Sequence, residues 1–401
     1  MGCPGSRGSM FRWRSPIIMI DQRRPRFDAE QLPSPCYVLD EDYLVDNLEL
    51  IRFIREEAGI RVLLALKGYA MWSTFPLLRQ YLDGATASSL HEALLCEEEF
   101  GKKAHLCAPV YLGNEIEKIT DAASHITFNS VNQYMRFREL AIRKGLKSAI
   151  RINPEYSEVD TDLYNPCIPG SRLGMTSAEL GNELPEDITG LHFHALCEQN
   201  ADSLENTLIA VEEKFGRHLR NIEWLNIGGG HHFTRRDYDI ERFIRVIRNF
   251  KKKYDLEIIA EPGEAIGWQT GFLIATVQDI ISANGFKTAM LDVSFSAHMP
   301  DCLEMPYKPK IWGALEPTPG LPTYRMGGNT CLSGDFLGDY SFEESLKPGD
   351  RIIFDDMIHY TMVKTTTFNG VQHPAIGIWQ QDQSFRLVRA FGYEDYKTRL
   401  S

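Results

Sequence analysis

Five positions with chemically useful side chains or backbone each follow a short apolar run of the sequence. Lys67 ends the run RVLLALK, and Glu261 follows LEIIA. In the same way, the runs AIR, GLHFH and WLNIGGG end in Arg151, His194 and the turn Gly228–Gly230, respectively. A charged group at the end of a buried strand is costly unless something compensates it. Core packing alone explains five such positions poorly, and the pattern indicates one shared site.

Each position suits a role around a single cofactor. A desolvated Lys67 with a lowered pKa could form a Schiff base. The turn Gly228–Gly230 could close backbone N–H groups on a phosphate. Glu261 could keep a pyridine nitrogen protonated, so that the ring accepts electrons, and His194 could stack on the ring. Simpler interpretations stay open: a lysine reaching from a barrel rim into solvent, a plain tight turn and an ion-paired glutamate.

A metal site is the rival interpretation of the histidines. His192 and His194 form an HxH pair, and His231 and His232 are adjacent, as metal ligands often are. In barrel metallohydrolases the HxH pair usually ends the first strand, whereas here it ends the sixth. The rival would also leave Lys67 and the glycine turn unexplained, so we expect no metal.

The elements that must position these residues alternate regularly. Short apolar runs are separated by segments with apolar residues at three- and four-residue spacing, as in amphipathic helices. Eight such units favour a (β/α)8 barrel over a doubly wound sheet, and a barrel carries its chemistry at the carboxyl ends of the strands. The predicted strands are 61–67, 84–88, 104–109, 125–130, 149–154, 190–196, 224–230 and 256–263.

The pattern changes after Gly263. The segments FLIATVQDII, TAMLDVSFSA, DRIIFDD, TMVKTTTFNG and AIGIWQQ are each predicted as strands. We therefore divide the chain into a partly disordered tail (1–32), a (β/α)8 barrel (33–265) and a C-terminal all-β domain that completes the active site (266–401).

Composition restricts the partners. With 55 acidic and 43 basic residues, the chain has a formal charge of −12, which disfavours nucleic acid and anionic membranes. The eight cysteines are scattered and form no CxxC pair, so free thiols are favoured over a disulfide framework. No apolar run approaches the ~18 residues of a membrane span. We expect a cytoplasmic protein.

Residues 33 to 396 resemble the fold-type III, pyridoxal-phosphate-dependent decarboxylases, the group with ornithine, arginine and diaminopimelate decarboxylases. Within that group the chain looks most like the carboxynorspermidine/carboxyspermidine decarboxylases. The stretches that carry the resemblance include LPSPCYVLDEDYL, LLALKGYAMWS, GLHFHALCEQNADSLE, LNIGGGHH, AEPGEAIG, LDVSFSAHMPDCLEMPY, CLSGDFLGDY and TTTFNG.

The resemblance implies a role for each matching residue. Lys67 matches the cofactor lysine, His194 the ring-stacking histidine, Gly228–Gly230 the phosphate loop and Glu261 the partner of the pyridine nitrogen. Arg151 matches an arginine near the cofactor.

Two matches lie in the second domain. Tyr360 aligns with a tyrosine that contacts the phosphate. Cys331 aligns with a cysteine delivered from the other subunit of a homodimer, where it is expected to help return a proton after carbon dioxide leaves. A buried, inert thiol is the simpler interpretation of Cys331.

The substrate implied is a carboxylated polyamine, decarboxylated to norspermidine or spermidine in polyamine biosynthesis. Its cationic nitrogens call for anionic neighbours; besides Glu261, the candidates are Asp292, Asp301, Glu304 and Asp335, flanked by His298. Ornithine and diaminopimelate decarboxylases typically have EPGR where this chain has EPGE, with Glu264. The alternatives left open are a diaminopimelate-type decarboxylase, a non-catalytic homologue and a single-barrel cofactor-binding protein.

Overall fold

The protein is described by a computed structural model that covers residues 23–305 and 307–401. Most of the tail predicted for residues 1–32 therefore lies outside the described residues. The described chain forms a closed barrel of eight parallel strands and a separate nine-stranded sheet, so the predicted fold class is confirmed. Within these ranges, none of the helices combines the length and the apolar character needed to cross a bilayer.

All eight predicted barrel strands are present, and each pairs in parallel with its neighbours in chain order until the last closes on the first. One strand, β1 (Cys36–Asp40), precedes them. The barrel strands are β2 (Arg61–Ala65), β3 (Gly84–Ala87), β4 (Ala104–Cys107), β5 (Ala123–Phe128), β6 (Lys147–Arg151), β7 (Ile188–His192), β8 (Trp224–Asn226) and β9 (Glu257–Ala260).

Helices connect the barrel strands, and short helices lie between the strands of the second domain and after its last strand. They are α1 (Glu41–Ala58), α2 (Phe75–Leu78), α3 (Leu90–Leu95), α4 (Ile116–Asp121), α5 (Val131–Arg143), α6 (Ser177–Leu180), α7 (Ala201–Leu219), α8 (Ile240–Tyr254), α9 (Glu264–Gly267), α10 (Phe295–His298), α11 (Pro300–Glu304), α12 (Tyr360–Val363) and α13 (Tyr393–Lys397).

Side-chain caps fix where several barrel helices begin. Ser89, Ser130 and Asp239 each accept a hydrogen bond from a backbone N–H in the first turn of α3, α5 and α8, respectively. Such caps stabilise a helix by about 1 kcal/mol each. The caps therefore fix the residue at which each of these three helices begins.

Inside the barrel, the ring of Trp224 packs directly against the backbone of Gly190. Trp224 in β8 is 1% exposed, and a Cβ added to Gly190 in β7 would lie 2.2 Å from its ring. Only glycine fits there, so the adjacent strands pack around the indole without displacing β7.

Besides β1, the second sheet contains β10 (Gly271–Ala283), β11 (Phe286–Leu291), β12 (Ala314–Leu315), β13 (Thr323–Gly327), β14 (Phe336–Phe342), β15 (Arg351–Asp355), β16 (Ala375–Trp379) and β17 (Phe385–Arg389). Its strand order is β12-β14-β13-β11-β10-β1-β16-β17, with β15 paired to β10. Strand β1 lies inside this sheet, antiparallel to β10 and parallel to β16. The sequence division at residue 265 assigned it to the barrel, because strand pairing over such a separation leaves no local signal.

The segment 361–370, predicted as a strand, is not one. It begins in α12 and ends in a 3-10 turn, Phe368–Gly370. Its threonines and valine favour extended structure, but Thr361 donates a hydrogen bond to Asp301 and the Thr366 N–H donates to the Ala297 carbonyl. These bonds tie the segment to α10 and α11 instead of to a strand.

Candidate active site

The carboxyl ends of the barrel strands open into two connected cavities. The barrel-mouth cavity, of about 900 Å³, is lined by Lys67, Arg151, His192, His194 and Glu261, among others. A second cavity, here called the interdomain cavity, of about 680 Å³, shares Lys67, His194 and Glu261 with the first. It continues between the barrel and the second domain. The structure thus brings the strand-end residues together on one face.

Lys67 follows β2 directly and projects into both cavities. Its side chain is open to the cavity space but surrounded by protein. Desolvation and the positive charge of Arg151 lower the pKa of Lys67, while the carboxylate of Glu261 opposes them in part. A larger fraction of neutral amine results, which is the form that attacks a carbonyl.

Glu261 is buried and held from two sides. The Asn226 side-chain amide donates a 2.6 Å hydrogen bond to its Oε1, and His192 Nε2 lies 3.5 Å from its Oε2. Burial acts to raise the pKa of Glu261, but His192, Asn226 and Thr86 outweigh it and leave the pKa below its usual value. Glu261 therefore stays ionised in a low-dielectric place, where it can face a cationic group.

The glycine turn after β8 packs against two other strand ends. A Cβ on Gly229 would lie 2.5 Å from the Glu261 carbonyl oxygen, and one on Gly230 would lie 2.1 Å from that of Leu196. Gly228 and Gly230 also have φ of +68° and +83°, which side chains disfavour. The turn therefore requires glycine and keeps its backbone accessible at the cavity.

His194 is fixed by this turn. The Gly229 N–H donates a 3.0 Å hydrogen bond to its Nδ1. Burial and the charges of Lys67 and Arg151 lower the pKa of His194 well below its usual value. The imidazole is therefore neutral, with its hydrogen on Nε2, and offers a flat ring to the cavity.

The interdomain cavity has an acidic wall. Glu198, His232 and Glu264 place one ligand atom each within 4.8 Å of one another, so they could hold a cation. Burial raises the pKa of Glu264 to about 8, and the neighbouring carboxylates add to this effect. Glu264, which stands where ornithine and diaminopimelate decarboxylases typically have the arginine of EPGR, is therefore partly protonated near neutral pH.

Tyr360 and Asp301 line the same cavity from the second domain. Tyr360 begins α12. Asp301 is 7% exposed; its Oδ2 accepts hydrogen bonds from Tyr307 and Thr361, while its Oδ1 has no partner among the described residues. A buried carboxylate oxygen without a donor is costly, so Asp301 is suited to a cation entering the cavity.

Cys331 is not brought to the cavities of its own chain. It is exposed, in the loop after β13, and its N–H donates to the Asn369 side chain. The neighbouring Leu332 is also exposed.

Two of the predicted acids instead stabilise the second domain. Asp292 accepts hydrogen bonds from the Ser34 hydroxyl and the Thr276 N–H. Asp335 accepts from backbone N–H groups at the start of α10 and from Thr330. Neither lines the two cavities.

The last two predicted substrate residues also lie elsewhere. Glu304 is exposed and ion-paired with Lys364. His298 is fully buried, and its Nδ1 accepts a hydrogen bond from the Ser294 N–H. Of the five second-domain candidates, only Asp301 lines the interdomain cavity.

Two residues that contact Glu261 were not predicted to belong to the cofactor site. Asn226 lies inside WLNIGGG, and His192 was considered only as a metal ligand. The available signal was a polar side chain at the end of an otherwise apolar buried strand, the same one that indicated Lys67.

Comparison with known proteins agrees with this geometry. The family model described as "Pyridoxal-dependent decarboxylase, C-terminal sheet domain" matches residues 36–358. The carboxyaminopropylagmatine decarboxylase of Synechocystis sp. is 55% identical over 94% of this chain and 97% of its own length. The carboxynorspermidine/carboxyspermidine decarboxylase of Campylobacter jejuni is 42% identical, over 92% and 99%. The crystal structure of carboxynorspermidine decarboxylase from C. jejuni, complexed with norspermidine, superposes with a TM-score of 0.85 at 40% identity, covering 92% of this chain and all of that one.

Proposed function

The chain belongs to the pyridoxal-dependent decarboxylase family, and we propose that it decarboxylates a carboxylated polyamine, with pyridoxal 5′-phosphate as cofactor. The preferred substrates are carboxynorspermidine and carboxyspermidine, which yield norspermidine and spermidine. One observation carries the proposal: Lys67, Glu261 and the glycine turn share one cavity in a chain that is similar over nearly its whole length to decarboxylases of such substrates.

The residues present fit that cofactor. Because any Cβ in the turn would collide with backbone, a phosphate can approach its main chain closely. The Gly228 and Gly229 N–H groups already donate to Asn226 and His194, so Gly230, which lines the interdomain cavity, would offer its N–H to the phosphate. Lys67 has a lowered pKa, as a carbonyl-binding amine needs. An ionised, buried Glu261 suits a protonated pyridine nitrogen, and the neutral His194 suits a ring face.

The mechanism divides the work between the cofactor and the chain. Pyridoxal phosphate, when bound, supplies an electron-withdrawing ring that stabilises the electron pair left on the α-carbon when carbon dioxide departs. Glu261 would hold a proton on the ring nitrogen, with Asn226 and His192 fixing its carboxylate. Tyr360 and the turn Gly228–Gly230 would hold the phosphate, and Arg151 would lie close by.

A proton must then reach the α-carbon, because each turnover releases one carbon dioxide and takes up one proton. Lys67 Nζ is a candidate donor from within the barrel. Cys331 is the other candidate; its exposure and its distance from its own cavities fit delivery by a second copy of the chain in a homodimer. In this arrangement the second domain of one subunit completes the site of its partner.

Asp301 would bind a cationic nitrogen of the substrate. Its unpartnered Oδ1 lies buried at the interdomain cavity, whose wall also carries the carboxylates of Glu198 and Glu264. A charge-assisted hydrogen bond there would recover the cost of the unpaired oxygen.

A second substrate is favoured by one specific observation. The relative with 55% identity is named for carboxyaminopropylagmatine, whereas the relative named for carboxynorspermidine and carboxyspermidine is 42% identical. The agmatine portion ends in a guanidinium, a planar fork that a carboxylate binds through two hydrogen bonds. The unpartnered Oδ1 of Asp301 would accept a hydrogen bond from this guanidinium, as it would from an ammonium.

The test is a turnover assay on purified protein loaded with pyridoxal phosphate. Carboxynorspermidine, carboxyspermidine, carboxyaminopropylagmatine, diaminopimelate and ornithine are compared, and the amine products are identified by mass spectrometry. Lys67→Ala is the inactive variant, and Lys118→Ala, which changes an exposed helical lysine, is its matched control.

Norspermidine or spermidine formed by wild type and Lys118→Ala, but not by Lys67→Ala, supports the proposal. Aminopropylagmatine as the dominant product moves the assignment to the second substrate. Lysine or putrescine as the dominant product overturns the polyamine assignment in favour of an amino-acid decarboxylase. No product from any substrate, with the cofactor bound, favours a non-catalytic homologue.

A further inference from the structure

Three titratable side chains from separate strands meet beside the reaction centre. Cys107 ends β4, His192 ends β7 and Glu261 follows β9, and all three line the barrel-mouth cavity. Cys107 Sγ lies 3.8 Å from both ring nitrogens of His192. His192 Nε2 lies in turn 3.5 Å from Glu261 Oε2. The order thiol, imidazole, carboxylate is the arrangement by which proteins activate a nucleophile.

The charges around the thiol support this order. Burial opposes ionisation of Cys107, but the charge and hydrogen bonding of His192 outweigh it and lower the pKa of the thiol; Arg151 acts in the same direction and Glu261 against it. Burial acts to lower the pKa of His192, but Cys107 and Glu261 raise it to about 9. Both shifts favour a thiolate beside an imidazolium.

Another cysteine at the cavities provides an internal comparison. Cys197 is half-buried like Cys107 and lines the interdomain cavity. Burial raises its pKa to about 12, and the charges of Glu198 and Glu264 raise it further. The two thiols therefore differ mainly in their neighbours: an imidazole at Cys107 and two carboxylates at Cys197.

We propose that Cys107 is a nucleophilic thiol, activated by His192, and that small alkylating electrophiles which enter the barrel-mouth cavity modify it covalently. The sulfur forms a bond to the electrophilic carbon, the leaving group departs with its bonding electrons, and the proton lost by the thiol stays on His192. The function proposed above makes no use of Cys107. A group added to Cys107 would lie beside Glu261 and hinder binding of the cofactor proposed above. This consequence rests on the proposed function; the reactivity of Cys107 does not.

The probe is iodoacetamide at limiting concentration and pH 7, applied to the full-length protein with and without pyridoxal phosphate. Cys107, Cys197 and Cys331 lie on different tryptic peptides, so mass spectrometry gives a separate alkylation rate for each. In the cofactor-free protein Cys107 should react at least ~10-fold faster than Cys197. Equal rates for the two would overturn the proposal.

His192→Asn tests the activation directly. It should slow alkylation of Cys107 about 10-fold while the rate at exposed Cys331 is unchanged. An unchanged Cys107 rate in a folded variant contradicts the role of His192. Should the variant not fold, the wild-type pH profile decides: the Cys107 rate should level off at a lower pH than that of Cys197, whose pKa is raised to about 12, and coincident profiles refute the proposal. Turnover is not measured, so these results stand apart from the decarboxylase assay.

Discussion

The two sides of the candidate site differ in how completely a single chain builds them. On the barrel side, Lys67, His194 and Glu261 stand at strand ends and share one cavity. On the side of the second domain, Asp301 and Tyr360 reach that cavity, but Cys331 is exposed away from it.

The difference follows from what holds each residue. A strand end in a closed barrel is fixed by ladder bonds on both sides, so a residue there has a set direction. Cys331 stands in a loop, where its direction depends on what packs against it. The barrel side would therefore be preorganised, whereas the other side would depend on assembly with a second subunit.

The largest effect is expected on the barrel side. Lys67→Ala should lower kcat by about 10⁴-fold or more, because it removes the amine that would hold the cofactor and move a proton. Steady-state kinetics measure the loss, and circular dichroism checks that the variant is folded. A variant that retains a tenth of the activity would contradict the role of Lys67.

The next effect tests assembly. Cys331→Ala should lower kcat about 100-fold, as loss of a proton donor does. When Lys67→Ala and Cys331→Ala are unfolded, mixed in equal amounts and refolded, about a quarter of wild-type activity should return, since half of the dimers are mixed and each has one intact site of two. No recovery would mean that Cys331 does not act in a neighbouring chain.

A smaller effect separates two acids that the sequence could not rank. Asp301→Asn should raise KM for the polyamine substrate about 10-fold, because a charged partner of the substrate is lost. Glu304→Gln, the matched control, should change KM less than ~2-fold, since an exposed ion pair contributes little. If both variants change KM equally, Asp301 does not bind the substrate through the interdomain cavity as proposed.

The smallest effect concerns stability. Burial acts to lower the pKa of His359, but Asp356, 3.1 Å away, and Glu264 raise it from 6.5 to about 9. The folded protein therefore binds a proton that the unfolded chain releases between pH 6.5 and 9. The resulting stabilisation is full below pH 6.5 and is lost as pH rises through 9, on the order of 3 kcal/mol.

Urea unfolding at pH 6.5 and 9 measures this loss. In Asp356→Asn the decrease in the free energy of unfolding between the two pH values should be clearly smaller, because His359 loses its main anionic neighbour. An equal decrease in both proteins would assign the pH dependence to other groups.

Sequence patterns predicted the barrel and the shared strand-end site because both depend on local order: a buried apolar run, then a polar residue at its end. The failures are all long-range. Nothing near Cys36 indicates pairing with Ala375, and nothing in TMVKTTTFNG reveals its bonds to α10 and α11. Asp292 and Asp301 are equally acidic in sequence, but the fold directs Asp292, just after β11, toward Ser34 and Thr276, and Asp301, in α11, toward the cavity.

The position of β1 also determines the order in which the chain can fold on the ribosome. The barrel strands are complete once residue 260 has been synthesised, but β1 must wait for β10 and, much later, for β16 before its edges are covered. Pairings over such separations form slowly, and until then an apolar strand has free edges that invite association with other chains. A newly made chain would thus hold a nearly finished barrel, with β1 on one side of it and the later strands of the sheet on the other, and the pairing of β1 with β16 would be among its last steps.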